Sequence, residues 1–164
     1  MNAEFIAKFQ KYFEGLFVQA IIDTLIMLIA TMILAIIFGF LLGVILVLTR
    51  EDGLKSNRFI YRIIDFIVNF IRSFPIMILI VALLPLTRIV MGTSIGVKGA
   101  IFPLTVAATA FMARIFENAM VEVDPQLTEA ANSFGASDFQ IIFKVILKEA
   151  IPSIVSGTTL AAIT

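Results

Sequence analysis

The chain has 164 residues, of which 60% are hydrophobic and only 15% are charged, against about 25% in an ordinary soluble domain. Its 12 basic and 12 acidic residues balance, which excludes the basic surface of a nucleic-acid-binding protein. The absence of cysteine and histidine excludes thiol chemistry, disulfide bonds, zinc sites and imidazole catalysis. The apolar residues form long blocks, which is typical of a chain embedded in a lipid bilayer.

The N-terminal segment, residues 1–19, mixes aromatic and charged residues at helical spacing and predicts an amphipathic helix. Two interpretations are open: the helix lies in the membrane interface, or it extends the membrane-spanning helix that follows. Neither carries chemistry. The next apolar run is too long for a cleaved signal peptide, so this segment belongs to the mature protein. The apolar positions are Phe5, Phe9, Tyr12, Phe13, Leu16 and Phe17.

The first predicted membrane-spanning helix covers residues 20–49. Residues 24–49 are uncharged, and as a helix they extend about 39 Å, against roughly 30 Å of hydrocarbon in a bilayer. Gly39 and Gly43 form a G-x-x-x-G pair, which allows a second helix to approach closely. We expect that helix to belong to the same chain, with a dimer interface as the alternative. The polar residues 50–58 then predict a loop.

The next two uncharged stretches are each about 22 Å long as helices, too short to cross a bilayer. We therefore expect the second and third spans to be the longer segments 63–87 and 99–121. The second span then includes Arg72, and the third includes Arg114, Glu117 and Asn118. Because charges inside a membrane are unfavourable, these side chains should face protein or water.

Arg114 and Glu117 lie three residues apart on one helix face, where they can form an ion pair. Two roles are open for this pair: it stabilises neighbouring helices, or it lines the transport pathway. Arg72 has no carboxylate three or four residues away, so its partner is another helix, water or cargo. The loop 88–98 lacks the spacing of a phosphate-binding loop, so we expect any ATPase to be a separate subunit.

Residues 124–148 predict two short helices on the membrane surface. Asp124 and Pro125 form a typical helix start, and Gly135 ends that helix after about Phe134. Ser137 and Gln140 form a capping box for a second helix, which we expect to end near Lys148. A short exposed hairpin of this kind can dock into a groove of a partner protein.

The motif in this hairpin resembles the E-A-A-x3-G-x9-I-x-L-P motif of ABC importer permeases. One position departs from it, since Lys148 stands where the family has its final proline. Further stretches are similar to methionine-uptake permeases, so the resemblance covers nearly the whole chain. The motif residues are Glu129, Ala130, Ala131, Gly135, Val145 and Leu147, and the further stretches are 70–75, 83–88, 92–96, 103–105 and 113–119.

The resemblance implies an all-helical, polytopic transmembrane bundle with the type I importer permease fold in residues 20–164. It implies a homodimer in a bacterial inner membrane, working with an extracytoplasmic substrate-binding protein and a cytoplasmic ATPase. The hairpin would be the coupling helix pair held by that ATPase, which alone would bind ATP and Mg²⁺; this chain would have no cofactor and no catalytic residue. A cytoplasmic hairpin also places loop 50–58 in the cytoplasm and the N-terminus outside, although basic residues are divided almost evenly between the two sides.

The last uncharged block, residues 150–164, extends only about 22 Å as a helix. We therefore expect a fourth span that is incomplete and a chain that ends before its last helix. Besides an ATP-driven importer of methionine or another small polar solute, two functions are open. An ion-coupled transporter or channel would transport without an ATPase, and a membrane scaffold would bind a partner without transport.

Overall fold

The computed structural model describes the backbone of residues 3–163 and the side chains of residues 12–163. Every regular element in this range is a helix, which confirms the predicted fold class. The elements are α1 (Ala3–Thr49), α2 (Arg58–Ser73), α3 (Ile76–Met91), α4 (Gly96–Val121), α5 (Pro125–Ser133), α6 (Asp138–Gln140), a π-helical segment (Ile141–Ile146) and α7 (Leu147–Ile163).

The first helix is longer than the predicted span. The backbone of α1 continues without a break through residues 3–19, in agreement with the second of the two interpretations of this segment. The side chains of residues 1–11, including Phe5 and Phe9, lie outside the described residues. Among the described helices, Tyr12–Thr49 and Gly96–Val121 are each long and apolar enough to cross a membrane.

The α4 helix is central to the bundle and packs against α1, α2, α3 and α7. The G-x-x-x-G pair of α1 faces α4, as expected for packing within the chain. A Cβ added to Gly39 would lie 2.5 Å from Cβ of Met112, and one added to Gly43 would lie 2.7 Å from Cβ of Phe116. The largest buried cluster joins α1, α4, the π-helical segment and α7 through Ala35, Met112, Phe116, Ala119, Met120, Ile141, Ile146 and Ala150.

We expect Gly43→Leu to destabilise the bundle by about 1 to 3 kcal/mol, because overpacking forces well-packed elements apart. Gly15→Leu is the matched control, since nothing lies within 4 Å of a Cβ added there. Thermal unfolding in detergent micelles measures both changes. Equal midpoints for the two variants would contradict the close α1–α4 packing.

The segment 63–87, predicted as the second span, is not one continuous helix. Residues 58–91 form two helices, α2 and α3, which are bent by 114° at residues 74–75. Pro75 is the physical reason, because its ring disfavours the helical conformation in the preceding residue. Phe74 is accordingly extended, with φ −88° and ψ 136°. Arg72 therefore lies in the last turn of α2, just before the bend.

The predicted loop after α1 folds back onto the end of that helix. The amides of Arg50, Lys55 and Asn57 donate to the carbonyls of Leu46, Leu48 and Thr49 at 2.9–3.0 Å. These bonds satisfy carbonyl groups that a helix end leaves without partners. The loop thereby holds the start of α2 close to the end of α1.

The prediction that the second hairpin helix ends near Lys148 is also wrong. The helix that begins at Asp138 continues to Ile163, so it joins the hairpin directly to the segment predicted as the last span. Residues 147–150 are all good helix formers, and Pro152 within α7 removes only one hydrogen-bond donor. The π-helical segment interrupts the regular geometry, and its bond from the Leu147 amide to the Ile142 carbonyl spans five residues.

Candidate functional site

Two groups of candidate residues lie at different places in the structure. The hairpin of residues 124–148 follows the C-terminal end of α4. The charged residues expected in the membrane lie on α2 and α4.

The start of α5 has the predicted cap. The Asp124 carboxylate accepts a hydrogen bond from the Gln126 amide at 2.9 Å, and Pro125 occupies the first turn. The second helix has the predicted capping box. The Ser137 hydroxyl accepts from the Gln140 amide at 3.4 Å, and the Gln140 side-chain oxygen accepts from the Ser137 amide at 3.0 Å. Local cap chemistry therefore defines both helix starts.

The turn between the two helices explains part of the motif spacing. Gly135 has φ +78°, a left-handed conformation that suits glycine. Its amide donates to the Asn132 carbonyl at 2.9 Å, and the Ala136 amide donates to the Ala131 carbonyl at 3.1 Å. These two bonds form a Schellman motif. In a Schellman motif the glycine follows the residue whose carbonyl accepts the longer bond by four positions, and Ala131 and Gly135 have this spacing.

The hairpin has a buried side and an exposed side. Ala131, Ala136, Ile141 and Ile146 pack in or against the main buried cluster. Glu129 and Ala130 are exposed, whereas Val145 and Leu147 are partly buried. The predicted apolar face of the second helix is divided: Ile142 and Ile146 are buried, Phe143 is partly buried and Phe139 is exposed.

Three apolar side chains of the hairpin are exposed in the described part of the chain. Phe134 is 92% exposed, Phe139 is 68% exposed and Leu127 is 42% exposed. We call these three residues the hairpin patch. Exposed apolar patches on a protein typically mark an interaction surface. The arrangement is therefore suited to a partner that receives the tip of the hairpin.

The hairpin is also connected to the end of α1. Lys55 and Asp138 form an ion pair at 3.8 Å. A cavity of about 420 Å³ lies between loop 50–54, the end of α4 and the hairpin, and Glu129 of the motif is on its wall together with Arg50 and Asp52. The hairpin therefore also lies beside the loop that follows α1.

The predicted pair of Arg114 and Glu117 is present, with 2.6 Å between Nη1 and Oε2. Arg114 has a second set of contacts across the helix interface. Its Nη2 donates to Oδ1 of Asp65 at 2.6 Å and to Oδ1 of Asn69 at 3.0 Å. The Tyr61 hydroxyl donates to the other Glu117 oxygen at 3.2 Å. We call these five residues the α2–α4 polar cluster.

The cluster is largely shielded. The side chain of Glu117 is 4% exposed, that of Arg114 is 18% exposed and that of Asp65 is 31% exposed. Asn118 lies outside the cluster and has an exposed side chain. Arg72 also lies outside it, with Cζ 5.8 Å from the centre of the Phe111 ring, a cation–π geometry. Arg72 thus forms a different contact, one helical turn along α2 and α4 from the cluster.

Sequence reasoning missed Tyr61, Asp65 and Asn69. A signal was present, because the polar residues of α2 recur at intervals of three or four and so lie on one helix face. This polar face explains why α2 supplies partners for charges on α4. The recurring residues are Arg58, Arg62, Asp65, Asn69 and Arg72.

Comparison with known proteins identifies similar chains. Residues 35–164 match the family described as binding-protein-dependent transport system inner membrane component. The D-methionine transport system permease protein MetI of Salmonella typhi is 42% identical over 149 residues, which cover 91% of this chain and 69% of that relative. MetI of Yersinia pestis is 48% identical over 122 residues, which cover 74% of this chain and 56% of that relative.

Solved structures that are similar to this chain include those of a methionine ABC transporter. An inward-facing conformation of the MetNI methionine ABC transporter matches with a TM-score of 0.86 and 41% identity, over 91% of this chain and 69% of that one. A second crystal form of MetNI gives a TM-score of 0.87 and 38% identity, over 99% of this chain and 72% of that one. An amino acid ABC transporter at 23% identity and a TM-score of 0.67 shares the fold.

Proposed function

The chain belongs to the family of binding-protein-dependent transport system inner membrane components, and from this premise we propose that it is the membrane-spanning permease subunit of an ATP-driven methionine importer. It is a membrane protein and not itself an enzyme. The observation that carries the proposal is the hairpin of residues 124–148. Its two helices are capped and joined by a turn at Gly135, and the hairpin exposes apolar side chains beyond the end of α4.

The proposed assembly has two copies of this permease, each with a hairpin docked in a cytoplasmic ATPase subunit. ATP and Mg²⁺ bind to the ATPase, and a substrate-binding protein delivers methionine from the other side of the inner membrane. Alternating access then follows from the relative movement of the two permease copies. The hairpin transmits this movement because one helix connects it directly to α7.

Reconstitution tests this proposal. The permease is expressed from its natural gene with the ATPase and binding protein of the same organism, and the complex is placed in liposomes. We expect uptake of radiolabelled methionine that requires both ATP and the binding protein. Uptake driven by an ion gradient without ATP would favour a secondary transporter, and ATPase binding without uptake would favour a scaffold. Competition with other amino acids and small polar solutes measures the specificity.

Arg72 is the residue that we propose for contact with the substrate carboxylate. It is exposed at the bend between α2 and α3, and its guanidinium contacts the Phe111 ring. We expect Arg72→Lys to raise the KM for uptake about tenfold at unchanged membrane yield. Lysine keeps the positive charge but cannot form the two parallel hydrogen bonds of arginine.

Arg88→Lys is the control for this change, because Arg88 is exposed in the last turn of α3 and away from the bend. Initial uptake rates over a range of methionine concentrations give the KM for both variants. An unchanged KM in Arg72→Lys would remove Arg72 from the substrate contacts. The remaining candidate pathway residues, Arg114, Glu117 and Asn118, are examined by the same assay.

A further inference from the structure

We propose that the Arg114–Asp65 contact is a latch between α2 and α4 that opens in each transport cycle, with Arg62 as a positioning residue that receives Asp65 when the latch is open. This inference rests on the proposed function, because it assigns a moving contact to the transport cycle. It is based on the way in which one guanidinium is shared between two helices.

Arg114 contacts the two helices with different ends of its guanidinium. Nη1 donates to Glu117 on α4 itself, and Nη2 donates to Asp65 and Asn69 on α2. Separation of the helices would break the Nη2 contacts and leave the Nη1 contact intact. Arg114 would therefore keep a carboxylate partner three residues away on its own helix.

Asp65 also has a second partner available. Arg62 lies three residues before it on α2, where side chains are neighbours on a helix surface. Arg62 is exposed and forms no ion pair with any carboxylate among residues 12–163. When α2 leaves α4, Asp65 can pair with Arg62, so neither helix retains an unpaired charge in a region of low dielectric constant.

The charge balance supports a reversible contact. In the closed arrangement Arg114 forms ion pairs with both Asp65 and Glu117, which leaves one excess negative charge in the cluster. In the open arrangement each helix has one neutral pair. Closing is stabilised by short hydrogen bonds, whereas opening relieves the repulsion of two carboxylates that share one cation. Each arrangement therefore has a stabilising contribution that the other lacks.

The surroundings of the cluster allow the movement. Four buried residues, Leu46, Val68, Ala110 and Ala113, form the apolar cluster in which Val68 of α2 packs against α1 and α4. Most other apolar side chains of α2 are exposed, including Phe59, Phe66 and Phe70. The extended residues at the bend leave α2 without a continuous helical connection to α3. Separation thus moves one buried side chain of α2, Val68, and three partly buried ones, Tyr61, Ile64 and Ile71, away from this cluster.

A reversible cross-link tests whether the latch must open. The chain has no natural cysteine, so Val68→Cys and Ala110→Cys place the only thiols in the buried cluster between α2 and α4. We expect oxidation of the double variant in the reconstituted complex to stop ATP-dependent methionine uptake and reduction to restore it. The two single-cysteine variants should transport under both conditions. Normal uptake by the oxidised, cross-linked protein would overturn the proposal.

Substitution of Arg62 tests the open state without a cross-link. We expect Arg62→Gln to lower the maximal uptake rate at least about fivefold at unchanged KM and membrane yield, and Arg62→Lys to restore most of it. Arg88→Gln, which removes an exposed arginine of α3, is the control. A wild-type rate in Arg62→Gln would overturn the proposal. Absence of ATP-dependent uptake in the unmodified complex would instead contradict the proposed function itself.

Discussion

Replacement of Gly135 by valine is expected to abolish ATP-driven uptake while the protein still inserts into the membrane. Gly135 has φ +78°, and nothing lies within 4 Å of a Cβ added there, so the effect comes from backbone strain alone. A left-handed conformation costs about 1 to 2 kcal/mol for an ordinary residue and more for a β-branched one. The strained turn would lose the Schellman bonds that set the angle between the two hairpin helices.

A series of substitutions distinguishes backbone strain at Gly135 from other causes of lost uptake. Gly135→Asn should retain part of the uptake, because asparagine tolerates the left-handed region better than valine does. Gly92→Val is the matched control, since Gly92 has φ +73° at the C-terminal end of α3, outside the hairpin. The Gly92→Val variant should leave the ATPase bound to the permease. Normal uptake by Gly135→Val at a normal membrane level would show that the turn geometry is not required.

Features that depend on local chemistry could be predicted from the sequence. The caps at Asp124 and Ser137 and the turn at Gly135 involve residues only a few positions apart, so the residue types are sufficient to define them. The long helices within α1 and α4 follow from uncharged stretches that only a lipid-embedded or fully buried helix tolerates. The G-x-x-x-G pair also predicted a close helix contact within the chain.

Features that depend on the three-dimensional arrangement could not be predicted in this way. The length argument assumed one straight helix over 63–87, although Pro75 was a visible signal for the break. The contact between Arg114 and Asp65 joins residues 49 positions apart, and no local pattern specifies that distance. The continuous helix from the hairpin to α7 was missed because the hairpin and the last apolar block were treated as separate segments, although Lys148, in place of the family's final proline, does not interrupt a helix.

The second large effect is expected from Phe134→Asp, which should release the ATPase from the permease. Phe134 precedes the turn glycine and is 92% exposed, the most exposed apolar side chain of the hairpin patch. An aromatic residue at the centre of a protein interface often contributes 2 kcal/mol or more, about a thirtyfold change in affinity. A carboxylate at this position would replace apolar contact with a charge that the interface must desolvate. Co-purification from detergent and uptake in liposomes measure the two consequences.

Ile95→Asp provides the matched control, because Ile95 is 84% exposed and lies just before α4, at the opposite end of that helix from the hairpin. The two variants add the same charge in place of an exposed apolar side chain, so a general effect on solubility or insertion would appear in both. Phe134→Leu should keep the ATPase bound, since it preserves an apolar contact. Loss of the ATPase only in Phe134→Asp would locate the interface at the hairpin tip. Undiminished co-purification of that variant would exclude Phe134 from the interface and make the cavity wall that contains Glu129 the next candidate contact surface.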